Sequence, residues 1–161
     1  MGHCWLNPKF TAAYFYFDFN DKERQKHDNL IRFLIAQLYV QNAKPPQALE
    51  ALYAVNQNGQ RQPSYEGLVE TLKAVLGLSL KTYVIIDALD ECADREELLE
   101  LVQEMNELRT VQILVTSRKE KDIEEVLKTL VTCQVCIQDA QLDDIQLHIR
   151  HQLKNDRKLK K

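Results

Sequence analysis

Glycine is scarce in this sequence. Only Gly2, Gly59, Gly67 and Gly77 occur, and none precedes a lysine. The chain therefore contains no G-x-x-x-x-G-K-S/T loop whose backbone amides would wrap a phosphate. Long apolar runs are missing too: the longest, Phe10 to Phe17, falls far short of the roughly 20 residues that span a bilayer, and the start has no basic stretch followed by an apolar core. Charge of one sign is not in excess either. With 21 Lys and Arg against 24 Asp and Glu, a net charge of -3, no global field draws the chain to nucleic acid or anionic lipid. A soluble, cytoplasmic chain is expected, with neither membrane nor nucleic acid as partner.

Cysteine is limited to Cys4, Cys92, Cys133 and Cys136. The C-x-x-C of Cys133 and Cys136 lies inside Val131 to Ile137, which alternates like a strand, where residues three apart face opposite sides. A redox pair belongs at the start of a helix instead. Ordinary reduced cysteines in a core are expected, and no zinc spacing is present. His3, His27, His148 and His151 form no catalytic set, and no G-x-S-x-G accompanies any serine.

What is present alternates between two periodicities. Tyr14 to Phe19 is aromatic and ends at the turn-like Asn20-Asp21, which predicts a strand too apolar for an exposed edge. Leu30, Ile31, Leu34, Ile35 and Leu38 recur at helical spacing, capped by Asp28 or Asn29 and ending before Pro45-Pro46. A short helix is expected over Gln47 to Val55, and another from an N-cap at Ser64 to a stop at Gly77. Thr82 to Ile86 reads as a central parallel strand covered on both faces. Asp94 and Glu97 match a capping box ahead of the next helix. Val111 to Val115 is another strand, Ile123 to Leu130 a helix, Cys133 to Ile137 a last strand, and Ile145 to Leu153 a final helix. This order predicts one α/β domain over residues 1–161 with parallel strands joined by right-handed crossovers. The basic end, Arg150 to Lys161, reads as a solvated tail, with a phosphate-binding patch as the other reading.

The chemistry-bearing residues cluster after the second strand. An apolar strand running into Asp87 puts a carboxylate at the C-terminal edge of a parallel sheet, where α/β folds gather ligands, and there it suits Mg²⁺, a hard cation. Asp90 and Glu91 follow closely enough to polarise a water or complete the ion's outer shell. Three carboxylates in five residues repel one another unless a cation or hydrogen-bond donors compensate; the other reading makes Asp90 and Glu91 surface residues ahead of a helix. Arg118, after the third strand, has the chemistry to contact a terminal phosphate.

The strings Ala13 to Phe19, Val84 to Cys92 and Ile113 to Arg118, with Asp144-Ile145 near Ile149, resemble the NACHT-type P-loop NTPase domains of fungal NOD-like receptors, whose N-terminal region is described as nephrocystin-3-like. The resemblance implies a partial P-loop NTPase fold, a parallel sheet flanked by helices, with the first (Walker A) strand missing from between the strands at Val111 to Val115 and Cys133 to Ile137. It implies that Asp87 is the Walker B, metal-side aspartate, that Asp90 and Glu91 are the acidic partners in hydrolysis, and that Arg118 is a cofactor-binding sensor of the terminal phosphate. Complete members use ATP and Mg²⁺ to drive a conformational change and oligomerisation, between effector and repeat domains expected only in a full-length relative. Without the phosphate loop, this chain is expected to take no cofactor by itself, to act as a truncated or remnant signalling domain without ATP hydrolysis, and to associate at most with homotypic NACHT-like domains. Two alternatives stay open: an ATP-dependent switch whose Walker A loop is supplied by upstream sequence, and a non-nucleotide protein-binding module using the aromatic strand or the basic tail.

Overall fold

A computed structural model describes residues 10–42, 46–136 and 147. The chain divides into two units, Met1–Leu130 and Val131–Lys161. In the first, three strands, β1 (Phe10–Tyr16), β2 (Lys81–Asp87) and β3 (Val111–Val115), form a parallel sheet in the order β1-β2-β3. Helices α1 (His27–Tyr39), α2 (Gln47–Val55) and α3 (Tyr65–Leu76) connect β1 to β2. Helix α4 (Arg95–Asn106) connects β2 to β3, and α5 (Lys121–Leu130) follows. The fold is thus α/β, a three-stranded parallel sheet flanked by helices, consistent with part of a P-loop-like fold.

Because the strands advance across the sheet in one direction, right-handed crossovers place every connecting helix on the same face. That face is the core. Thr11, Ala13 and Phe15 of β1, Thr82, Val84 and Ile86 of β2 and Val111 of β3 are buried, and they meet Leu30, Leu34, Leu72, Leu76, Leu98 and Met105 from α1, α3 and α4 in one cluster. Among the described residues the opposite face is open. In register across it stand Tyr14, Ile85 and Leu114 in one row, with Tyr14 45% and Leu114 58% exposed. Two sequence expectations are corrected here. Among the described residues β1 is an edge strand despite its aromatics and β2 is covered on one face only, because nothing in the sequence of a strand states on which side the crossovers fall. Cations shelter part of the open face: the Arg24 guanidinium lies 4.0 Å from the Tyr16 ring centroid and the Lys81 ammonium 5.7 Å from that of Tyr83.

The outer edge of β1 is sealed by side chains. Gln41 of the turn after α1 accepts the Ala12 N–H at 3.1 Å and donates to the Ala12 carbonyl at 2.8 Å. One helical turn earlier, Gln37 does the same for Tyr14, at 3.1 and 2.7 Å. An amide carries one acceptor and two donors, so each glutamine stands in for a residue of a neighbouring strand. β3 has no such cover among the described residues. Its even-numbered backbone groups point at β2, as in the bonds from Thr82 to Thr110 and from Thr116 to Ile86, which turns the peptide groups of Ile113 and Val115 outward.

The helix boundaries follow local chemistry with some substitutions of role. Ser64 caps α3 by accepting the Gly67 N–H, as expected. Asp94 precedes α4 but caps nothing with its side chain; its carboxylate lies 3.2 Å from His27 Nδ1, a partner 67 residues away that the capping-box spacing does not reveal. Helix α1 begins one residue before Asp28, so Asp28 and Asn29 lie in its first turn rather than at its cap. In the second unit, Val131 to Cys136 are exposed and carry no regular structure, which corrects the fourth strand expected over Cys133 to Ile137. Cys133 and Cys136 are exposed free thiols rather than core residues. Ile137, the final helix, the basic tail, Cys4, His3, His148 and His151 lie outside the described residues.

Burial also fixes an alkaline limit. The Cys92 thiol, buried beneath the turn after β2, is pushed up from an ordinary 9.0 to about 11, first by burial. The Tyr65 hydroxyl is pushed from 10.0 to about 12, again first by burial and then by the Glu104 carboxylate. Well below pH 9 both groups are neutral whether the chain is folded or unfolded. As pH rises from 9 towards 12 the unfolded chain ionises first, so stability falls through that window. Urea midpoints are expected to be level between pH 7.5 and 8.5 and to drop by pH 10.5, with Cys92→Ala and Tyr65→Phe together flattening the drop.

Candidate functional site

The C-terminal ends of β2 and β3 bring the four sequence-singled residues to one edge of the sheet. Thr116 organises it. Its N–H donates to the Ile86 carbonyl at 2.9 Å and its own carbonyl accepts the Leu89 N–H at 2.9 Å. Its hydroxyl accepts the Ala88 N–H at 3.0 Å and donates to the Asp87 carboxylate. Thus clamped, the turn passes through Ala88 with φ 55° and ψ 49°, a left-handed conformation that costs a residue with a Cβ about 1–2 kcal/mol. The strain turns the chain sharply enough to leave Asp87 pointing from the end of β2 while Asp90 and Glu91, on the short 3-10 turn Leu89–Glu91, point towards β3.

Arg118 meets those two carboxylates. Its Nε lies 3.5 Å from Asp90 and its terminal nitrogen 3.2 Å from Glu91. Its backbone N–H donates to Asp90 Oδ1 at 2.9 Å, beside a longer contact of 3.4 Å from the Ser117 hydroxyl. Glu91 uses its other oxygen to accept the Phe19 N–H at 2.8 Å, which ties the chain after β1 to the same spot. The side chain of Asp90 is only 8% exposed while that of Arg118 is 73% exposed. Each of the three nearby carboxylates thus finds donors within the chain: a guanidinium and two backbone N–H groups on Asp90 and Glu91, and the Thr116 hydroxyl on Asp87.

Fit to a magnesium nucleotide can be judged from the donors themselves. Among the described residues no three His, Cys, Asp or Glu side chains converge on a point where a metal ion would sit. Mg²⁺ can be held by one or two carboxylates when phosphates and waters complete its octahedron, but the sequence has no glycine-rich loop to hold those phosphates. Asp87 alone, with its carboxylate engaged by Thr116, does not make a complete Mg-ATP site. No hydrolytic step follows from these residues.

The family model described as Nephrocystin 3, N-terminal, matches residues 3–118, more than half of the chain. The chain belongs to this family. No curated protein and no solved structure matches it. The nephrocystin-3 N-terminal match includes β1, β2, β3 and the helices between them and ends on Arg118, so the whole cluster from Asp87 to Arg118 lies inside it. No helix of the described residues is long and apolar enough to cross a membrane.

Sequence reasoning missed Thr116, the residue with the most bonds in the cluster. Its place between a strand and Arg118 was visible, but a threonine closing a strand carries no signal of its own until the neighbouring strand's register is known. Gln37 and Gln41 were missed as well. Their signal was present in principle, two amides four residues apart on the flank of an apolar stripe.

Proposed function

We propose that this nephrocystin-3 N-terminal chain is the Walker B and sensor portion of a NACHT-like P-loop NTPase domain of the kind found in fungal NOD-like receptors, and that it does not hydrolyse ATP by itself. The observation that carries this reading is the pairing of Asp90 and Glu91 with Arg118 across the ends of β2 and β3. In a nucleotide switch the acidic pair and the arginine would face water and the terminal phosphate; in this chain they satisfy each other. The absence of a phosphate loop from the sequence supports the same conclusion. Association with homotypic NACHT-like domains, and effector and repeat domains in a longer relative, belong to this reading.

A second reading, an ATP-dependent switch completed by upstream sequence, draws support from the outward peptide groups of β3 and the open face beside Asp87. A strand added at that edge would carry its following loop to the level of Asp87 and Arg118. A titration tests the first reading and the upstream sequence the second. Calorimetry of the 161-residue chain with Mg-ATP is expected to give no binding tighter than about 1 mM, roughly -4 kcal/mol. Micromolar binding by this chain would end the first reading. The second is decided by the sequence directly upstream: if it encodes G-x-x-x-x-G-K-S/T, Asp87→Ala is expected to remove Mg²⁺-dependent turnover of the longer chain, and unchanged turnover would defeat it.

A further inference from the structure

A groove between α1, α2 and α3 shares no residue with the cluster at Asp87 and lies outside everything argued from it. Its volume is about 390 Å³, within the range of roughly 300–1,000 Å³ typical of small-molecule sites. The walls are apolar: Ile35 of α1, Leu49 and Leu52 of α2 and Leu68 of α3. Helix α2 has no buried residue, so Leu49 and Leu52 are only partly covered by their own fold, an unfinished apolar contact. Two cations stand at the groove, Arg32 on α1 and Arg61 on the loop after α2. Arg24, Arg95 and Arg118 each pair with a carboxylate, whereas neither Arg32 nor Arg61 has such a partner among the described residues.

The loop that supplies Arg61 is strained where it meets the groove. Gln57, Asn58 and Gly59 have φ of 53°, 54° and 84° in succession, three left-handed residues of which two carry side chains. Gly59 is favoured as glycine by its φ, and it packs against Tyr53, whose Cε2 would lie 2.7 Å from an added Cβ; Tyr53 itself lines the groove. Backbone held in such conformations is found disproportionately at ligand clamps. Apolar walls, two guanidiniums with no carboxylate partner among the described residues and a strained loop therefore coincide in one place.

We propose that this groove binds a small amphipathic carboxylate, with its hydrocarbon body against Leu49 and Leu52 and its head group at Arg32 and Arg61. A guanidinium matches the planar carboxylate in two parallel hydrogen bonds, and partly covered leucines gain from apolar contact that water cannot give. The groove binds its ligand independently of any nucleotide.

The test is calorimetric titration of the 161-residue chain with octanoate and, as its neutral counterpart, 1-octanol. Octanoate is expected to bind at one saturable site at least tenfold more tightly than 1-octanol. Arg32→Gln with Arg61→Gln should erase that preference. Ala36→Trp, at an exposed position on the groove wall, should block both ligands while leaving the arginines in place. Absence of saturable octanoate binding, equal affinity for the alcohol, or undiminished binding in the Ala36→Trp chain would each overturn the proposal.

Discussion

Replacing Gln37 and Gln41 together by alanine is expected to lower stability by about 2–4 kcal/mol and to raise the associated mass of the chain in solution. The two side chains make four hydrogen bonds to the backbone of Ala12 and Tyr14, each worth about 0.5–1.5 kcal/mol net. Water can recover part of that at an edge, which places the sum below its upper bound. Against the 5–15 kcal/mol typical of a whole domain, the loss is large. The second effect follows from geometry. Removing the amides bares a strand edge with an aromatic face, a template for another chain's strand. Sedimentation velocity and urea unfolding measure the two effects separately. Gln37→Glu with Gln41→Glu serves as a control: carboxylates accept the N–H groups but cannot donate to the carbonyls, so stability should fall while the added charge keeps chains apart. A double-alanine chain with the parent's midpoint and the parent's mass would show that the amides are ornaments of the edge rather than its cover.

That edge also marks where the sequence stopped being readable. Strand β3 was legible at its true bounds, Val111–Val115, because β-branched and aliphatic residues run between a polar helix end and Thr116. Helix α3 was legible from Ser64 onward, since a cap and an apolar stripe agree there. The position of β1 was not. Tyr14, Phe15, Tyr16 and Phe17 look equally apolar in one dimension, yet Phe15 and Phe17 are buried while Tyr14 and Tyr16 are each more than 40% exposed. Parity assigns the alternation, but only the common hand of the crossovers decides that the second face stays bare. The difference between a buried strand and a sealed edge is carried by Gln37 and Gln41, residues that local pattern files under solvent-facing helix.

The candidate site shows the same division. Asp87 at the end of an apolar strand, and Arg118 at the end of the next, could be placed on one edge of the sheet from the strand pattern alone, because parallel neighbours end at the same level. The pairing of Arg118 with Asp90 and Glu91 could not, since it depends on the left-handed turn at Ala88. Alanine gives no hint of a positive φ. The charge argument asked for a cation or hydrogen-bond donors among three carboxylates, and the chain itself places donors on each of them.

Asp90→Ala is expected to cost about 2–3 kcal/mol of stability, and Arg118→Ala less than about 1 kcal/mol, although the two residues face each other. The asymmetry comes from burial. The Asp90 side chain is 8% exposed and accepts the Arg118 N–H, a bond from a backbone donor to a charged acceptor, worth about 1.5–3 kcal/mol. The Arg118 side chain is 73% exposed, and ion pairs made in such surroundings contribute about 0–1 kcal/mol. Truncating it leaves its backbone N–H on Asp90 undisturbed. Hydrogen exchange should therefore find the backbone amide at position 118 protected in Arg118→Ala and unprotected in Asp90→Ala, with the urea midpoint lower in Asp90→Ala. The sign of the Asp90 change also bears on function. A carboxylate kept beside other carboxylates for the sake of hydrolysis is held at a cost to the fold, and removing it stabilises. A carboxylate that fastens the end of β3 to the turn after β2 is part of the fold, and removing it loosens both. If Asp90→Ala proves more stable than the parent chain, the cluster is an active-site remnant still under strain, and the reading of Asp90 as a structural clamp fails.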